Sequence, residues 1–303
     1  MPRGEPVLLL LGTGVMLGAT FPLGKAAALA SIAPVVWAMV LAGGSSAMLF
    51  AARLARGRGI GVGPTRLRFY AIAATISLAL PNLLVFAAIP HLGAGFTALA
   101  FTLSPVFTLA LALALRMRRP DALAIGGIAV GFFGAVMVAT TRGELGDPAE
   151  PIWLLAALAI PASLACGNIY RTAAWPEGAE PIELAIGTNA AALLLLGAYA
   201  LLVDGALPLG PLASAPLLTA TQVLAATGMF ALFFRLQQVG GPVYLSQISY
   251  VAATVGLVAG TLLFDERYAW ITWSGAALIA MGVALTTIAQ SRGVIRPLSP
   301  PAA

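Results

Sequence analysis

Ten apolar runs of about twenty residues, divided by short breaks, constrain this chain more than any other feature. A helix needs about 20 apolar residues to cross the hydrocarbon core of a bilayer. The runs are roughly Val7 to Lys25, Pro34 to Leu54, Phe69 to Ile89, Gly93 to Leu115 and Ala122 to Ala139, then Ile152 to Tyr170, Ile182 to Val203, Leu212 to Phe234, Pro242 to Phe264 and Ala269 to Ala289. Only 9% of the 303 residues are charged and 60% are hydrophobic. A soluble domain carries about 25% charged residues, so a chain this poor in charge cannot cover a surface that faces water. The expected fold is an all-α membrane protein of ten transmembrane helices, because a spanning backbone must satisfy its own polar groups.

The charges test the count of spans. With both termini in the cytoplasm, the inner segments hold Arg3, Arg53, Arg56, Arg58, Arg66, Arg68, Arg116, Arg118, Arg119, Arg171, Arg235, Arg292 and Arg296, and the outer ones only Lys25, Arg142 and Arg267. Basic loops stay in the cytoplasm, and one miscounted span would invert every later loop and spoil this bias. Arg3 before the first run and Ala28-Leu29-Ala30 after it resemble a signal peptide. The length of the run and the many spans behind it favour an uncleaved first helix.

The chain also repeats itself. Gly93 to Val136 and Gly241 to Ala284 share one plan, with a charged break between two apolar runs. A shift of 148 residues matches Gly93 to Gly241, Leu115 to Leu263, Arg119 to Arg267, Gly127 to Gly275 and Gly134 to Gly282. Five spans per repeat carry the chain from one side to the other, so the two halves are inverted. The expected units are a first repeat over 7–140, a linker over 141–151, a second repeat over 152–289 and a disordered cytoplasmic tail over 290–303. Inverted repeats about a midplane site suit alternating access.

Two stretches carry a resemblance to a family. Leu262 to Gly282 (LLFDERYAWITWSGAALIAMG) has an acidic residue after an apolar helix and two glycines seven apart in the next. Gly18 to Lys25 (GATFPLGK) is similar to the first-helix pattern of the same domains. On these the chain resembles the drug/metabolite transporter superfamily, and within it the ten-helix transporters with two EamA domains, over about residues 7–289. Within the superfamily the chain looks most similar to the YddG-like amino-acid exporters. Arg118 departs from the pattern where the second half has Glu266. The resemblance also implies a bacterial inner membrane as the location.

Polar residues on apolar helices mark candidate sites. Thr97, Ser104 and Thr108 share a face of the fourth run with Phe101, and Tyr244, Gln247, Tyr250 and Thr254 lie mostly on one face of the ninth. Thr75, Asn82 and Phe86 align in the third run, and Ser163, Cys166 and Tyr170 in the sixth. The expected substrate cavity is lined by Asn82, Phe86, Phe101, Ser104, Ser163, Tyr170, Gln247, Tyr250 and Thr254. The competing reading is that such hydroxyls and amides bridge helices or bond their own backbone. Pro22 and Pro81 are candidate hinges. His91, in a turn, is the candidate for proton coupling. Lys25 reads as a lysine reaching out of the membrane, and Cys166 as a small buried residue. Gly14 and Gly18, Gly127 and Gly131, and Gly256 and Gly260 read as close helix contacts.

Absences narrow the function. One cysteine and one histidine leave no disulfide and no metal cluster, and no cofactor is expected. The spans hold no deep carboxylate of the kind small multidrug exporters of the superfamily use in the first helix, and no midplane cation for a strongly anionic substrate. The net charge of +5 sits in the breaks and does not suggest nucleic acid. No nucleophile–base pair appears, so the chain does not read as an enzyme. The expected function is a secondary transporter exporting small metabolites, above all amino acids with aromatic or other apolar side chains, by facilitated or weakly coupled alternating access. The alternatives are a drug or nucleotide-sugar carrier of the same fold, or a non-transporting membrane scaffold. The expected partners are a small-molecule substrate and the lipid bilayer, with the protein a monomer or homodimer.

Overall fold

The computed structural model describes residues 5–117, 122–141 and 150–292. Arg3, Arg118, Arg119, Arg142, nearly all of the expected linker and most of the expected tail lie outside the described residues. Every expected run is helical: α1 (Glu5–Leu29), α2 (Pro34–Leu54), α3 (Pro64–Ala74), α4 (Leu80–Leu92), α5 (Ala94–Ala100), α6 (Ser104–Ala114), α7 (Ala122–Thr141), α8 (Pro151–Ala173), α9 (Pro181–Tyr199), the short α10 (Gly210–Ala213), α11 (Pro216–Ser246), α12 (Ile248–Phe264) and α13 (Trp270–Arg292). No strand occurs among the described residues. Seven helices are long and apolar enough to cross a membrane, and Ile125–Gly134, Ile248–Phe264 and Trp270–Gly282 are shorter apolar helices.

Proline sets many of these boundaries. Pro34, Pro64, Pro151, Pro181 and Pro216 each open a helix, where the missing N–H costs nothing. Inside the third and fourth runs the same residue loosens the helix. A π-helical turn, Thr75–Ala79, precedes Pro81, and a 3₁₀ turn, Phe101–Leu103, precedes Pro105. Proline removes the bond that would hold a regular turn there.

Eight described residues have positive φ, one in each turn between neighbouring runs within 5–117 and within 150–292: Ser31, Gly57, Gly93 and Arg116, then Gly178, Gly205, Gly241 and Asp265. Gly93 (φ 81°, ψ 160°) and Gly241 (φ 70°, ψ −178°) adopt nearly the same conformation, one that costs a residue with a Cβ dearly. Gly241 kinks α11 and separates the eighth run from the ninth, so Pro242–Ser246 open the ninth run, which α12 continues.

Helices of residues 5–141 pack mainly on helices of residues 150–292. α1 lies on α11 and α12, α8 on α4 and α6, α2 on α9, α5 on α12 and α7 on α13. Gly14 and Gly18 bring α1 against Val251 and Val255 of α12. A Cβ on Gly134 would lie 2.6 Å from the Gly275 carbonyl, and one on Gly282 would strike the backbone of Gly127 and Gly131. The core between these helices holds Phe21, Trp37, Phe69, Phe230 and Phe234.

Candidate functional site

Two charged side chains lie near the ends of the first helix of each half, at opposite ends of the bundle. Lys25 stands one turn before the end of α1. Its Nζ donates to Glu266 from the α12–α13 turn and sits 4.8 Å from the Phe264 ring centre. Glu266 also accepts from the Tyr268 hydroxyl, from the Ala94 N–H (2.9 Å) and from the Gly95 N–H (3.1 Å). Those amides open α5, where partial positive charge favours an anion. Gly93, Gly95 and Gly260 make the room, since a Cβ on any of them would crowd the carboxylate. Burial would raise the Glu266 carboxyl, but the bonds from Lys25, Tyr268, Ala94 and Gly95 outweigh it and hold it below the usual carboxylate range. One side chain thus ties three helix ends together.

The other end holds Arg171. Its side chain is 1% exposed. Nε donates to Gln237 Oε1 (2.7 Å) and Nη2 to Asn168 Oδ1 (2.6 Å), and the guanidinium lies 4.9 Å from the Phe233 ring centre. Gln237 Nε2 in turn donates to the Asn168 carbonyl and to Thr172 Oγ1, both at 3.1 Å. Among the described residues no carboxylate pairs with Arg171, and side-chain amides and aromatic rings hold the charge. Nearby, Glu183 pairs with Arg66 and accepts from the Gly61 N–H (2.7 Å), and Glu180 accepts from Arg53 (2.6 Å). The Arg53 hydrogen bond and charge hold Glu180 below its ordinary range. Arg235 pairs with Glu5 at 2.9 Å.

The expected cavity residues divide. Phe86, Phe101, Ser104 and Gln247 are buried, Asn82, Ser163, Tyr170 and Tyr250 are half-buried, and Thr254 is exposed. Phe101 meets Phe21 edge to face at 5.0 Å, and Tyr170 stacks on Phe69 at 5.8 Å. Ser163 donates to the Ile76 carbonyl of the π turn (2.7 Å), and Thr254 to the Tyr250 carbonyl one turn back (2.9 Å). A cavity of about 240 Å³ lies between α1, α2 and α4, lined by Gly24, Ala27, Trp37, Phe86 and Pro90 among others. It takes only Phe86 from the expected set. His91 is exposed and stacks on Trp153 with 3.9 Å between ring centres. Pro22 lies inside α1 and Pro81 just beyond the π turn. Cys166 corrects its expectation, for it is exposed on α8 rather than buried.

Lys25, Glu266 and Arg171 were all absent from the expected site. Their signal was present, as charges within a turn of a span end, but the sequence placed Arg171 in a loop. The structure puts it inside α8 and under the surface.

Residues 5–140 match the family model of the EamA-like transporter family. The match covers a little under half of the chain. That family is one of membrane transporters of the drug/metabolite type, and the match points to a transporter rather than an enzyme. No curated protein matches the sequence. A solved crystal structure is similar in fold, with a TM-score of 0.64 at 20% identity over 93% of this chain and 99% of the other.

Proposed function

We propose that this EamA-type protein is a ten-span secondary transporter of two inverted repeats, and that it exports small zwitterions, above all amino acids with aromatic or other apolar side chains, by alternating access from a bacterial inner membrane. The packing supports the repeat. Exchanging α1 with α8, α2 with α9, α4 with α11, α6 with α12 and α7 with α13 turns the contact of α1 with α11 into that of α8 with α4. The sequence-matched glycines meet crosswise, Gly134 against Gly275 and Gly127 against Gly282, as self-complementary surfaces do about a two-fold axis. One positive-φ residue recurs in each equivalent turn.

One observation carries the mechanism: two equivalent ends are closed differently. Under the orientation set by charge, the outer end is sealed by Lys25 and Glu266 across both halves. The inner end places Arg171 at the corresponding point of α8 without a carboxylate. Lys25–Glu266 joins the halves at the outer end, and Arg53–Glu180, Arg66–Glu183 and Glu5–Arg235 join them at the inner end, so exchange between inward- and outward-open states breaks a different set of ion pairs at each end. The amide- and aromatic-lined interior suits a zwitterion with an apolar side chain, and Asn82, Phe86, Phe101, Ser104, Ser163, Tyr170, Gln247, Tyr250 and Thr254 are its proposed contacts. The π turn before Pro81 supplies the hinge, with Pro22 a second.

Counterflow in proteoliposomes tests this reading. Vesicles loaded with unlabelled L-phenylalanine should take up the labelled compound at equal pH on both sides. Absence of uptake for every amino acid, with or without a proton gradient, sinks the substrate class. Uptake only under a gradient makes transport coupled, with His91 beside Trp153 the group to replace first.

A further inference from the structure

A buried guanidinium without an anion is costly, and a membrane protein that keeps one uses it. Arg171 carries five N–H donors, and its bonds to Gln237 and Asn168 occupy two. Nη1 lies beside Gly167, where an added Cβ would be 3.2 Å from it. The same Cβ would collide with the hydroxyl of Ser77. That hydroxyl is buried and has no hydrogen-bond partner among the described residues. It belongs to the π turn before Pro81. Glycine at 167 therefore brings the edge of a cation and an unpartnered hydroxyl to the same point of α8.

We propose that Arg171 and Ser77 form a carboxylate-binding subsite, which holds the acid group of the transported zwitterion as it enters from the inner end. The inference rests on the amino-acid reading above and deepens it. A carboxylate has two oxygens and takes a guanidinium edge in a paired, charge-assisted contact, with room left to accept from Ser77. Asn168 and Gln237 orient the fork without neutralising it. Phe233 covers one face of the guanidinium and keeps water away. Because Ser77 lies in the irregular turn of the third run, an occupied subsite couples substrate to the element placed to bend. A neutral or purely cationic molecule gains nothing there.

The test uses the purified full chain in detergent, with thermal unfolding as the readout and three probes: L-phenylalanine, 3-phenylpropanoate and L-phenylalaninamide. The two carboxylates should raise the unfolding temperature and the amide should not. Gln237→Glu gives Arg171 an internal carboxylate. It should fold at least as stably as the parent and lose the carboxylate shift, with the half-saturating concentration rising tenfold or more. Ser77→Ala should weaken the shift without removing it, and Arg171→Gln should abolish it. Equal stabilisation by phenylalanine and its amide, no shift with any carboxylate, or an unchanged shift in Gln237→Glu and Ser77→Ala would overturn the proposal and leave Arg171 a brace between α8 and α11. A carboxylate shift in protein that fails the counterflow assay would keep the subsite and discard amino-acid export.

Discussion

Glu266 accepts from four donors, and only Lys25 among them is a formal cation. Glu266→Gln keeps the shape and removes the charge. With Lys25 partly exposed, the loss is about 1–2 kcal/mol, between the value of a surface pair and that of a buried one. About 1.4 kcal/mol is a tenfold change in the balance of closed and open outer ends. A cysteine at Ala27, now buried beside the cavity, should therefore react about five- to thirtyfold faster with maleimide in the Glu266→Gln, Cys166→Ala background. An unchanged rate would mean that the pair does not hold the outer end. The pH dependence has a fixed sign. The closed-state carboxyl is held below its ordinary range, so its contribution is complete above about pH 4.3 and is lost only as pH falls through that value and below. Between pH 5 and 8 the labelling rate of the Ala27→Cys protein, corrected for the reagent's own chemistry, should be flat. A rise near neutrality would assign the seal to another group.

At the scale of elements, the helix–helix contacts depend on glycine and the irregular turns on proline. Gly282→Val would drive a side chain into the backbone of α7 at Gly127 and Gly131. Overpacking of that kind costs about 1–3 kcal/mol. Gly126→Val, one residue away in sequence but facing open space, should change stability by about 0.5 kcal/mol or less. Unfolding midpoints of the two proteins in detergent decide it, and equal effects would mean that α7 and α13 do not meet at these glycines. Elements were the most legible level of the sequence. An apolar run bounded by proline has little choice but to be a helix in lipid, and Pro34 and Leu54 bound α2 as the sequence places them. The faces of those helices were much less legible. Lipid and protein interior are both apolar, so Thr254 and Cys166 read like interior residues yet lie exposed. The Lys25–Glu266 pair was illegible for a different reason: 241 residues separate the partners, and no local pattern records which helix ends will meet.

For the whole molecule, the proposed orientation follows from thirteen basic residues on one side and three on the other. The described ion pairs agree in kind. Arg53, Arg58, Arg66 and Arg235 pair with Glu180, Glu183 and Glu5 at one end, and Lys25 pairs with Glu266 at the other. Because the halves are proposed to be inverted, equivalent positions should face opposite compartments, and this separates the reading from a direct repeat or a miscounted span. Arg56, in the α2–α3 turn, and Arg267, in the α12–α13 turn, are both exposed. In a Cys166→Ala background, Arg267→Cys should react with a membrane-impermeant maleimide on intact cells. Arg56→Cys should react only after permeabilisation. Labelling of both from outside would remove one span from between them, and with it the inversion. The reverse pattern would preserve the inversion and turn the molecule over, so that the Lys25–Glu266 seal would close the cytoplasmic end and the direction of the proposed transport would have to be reversed.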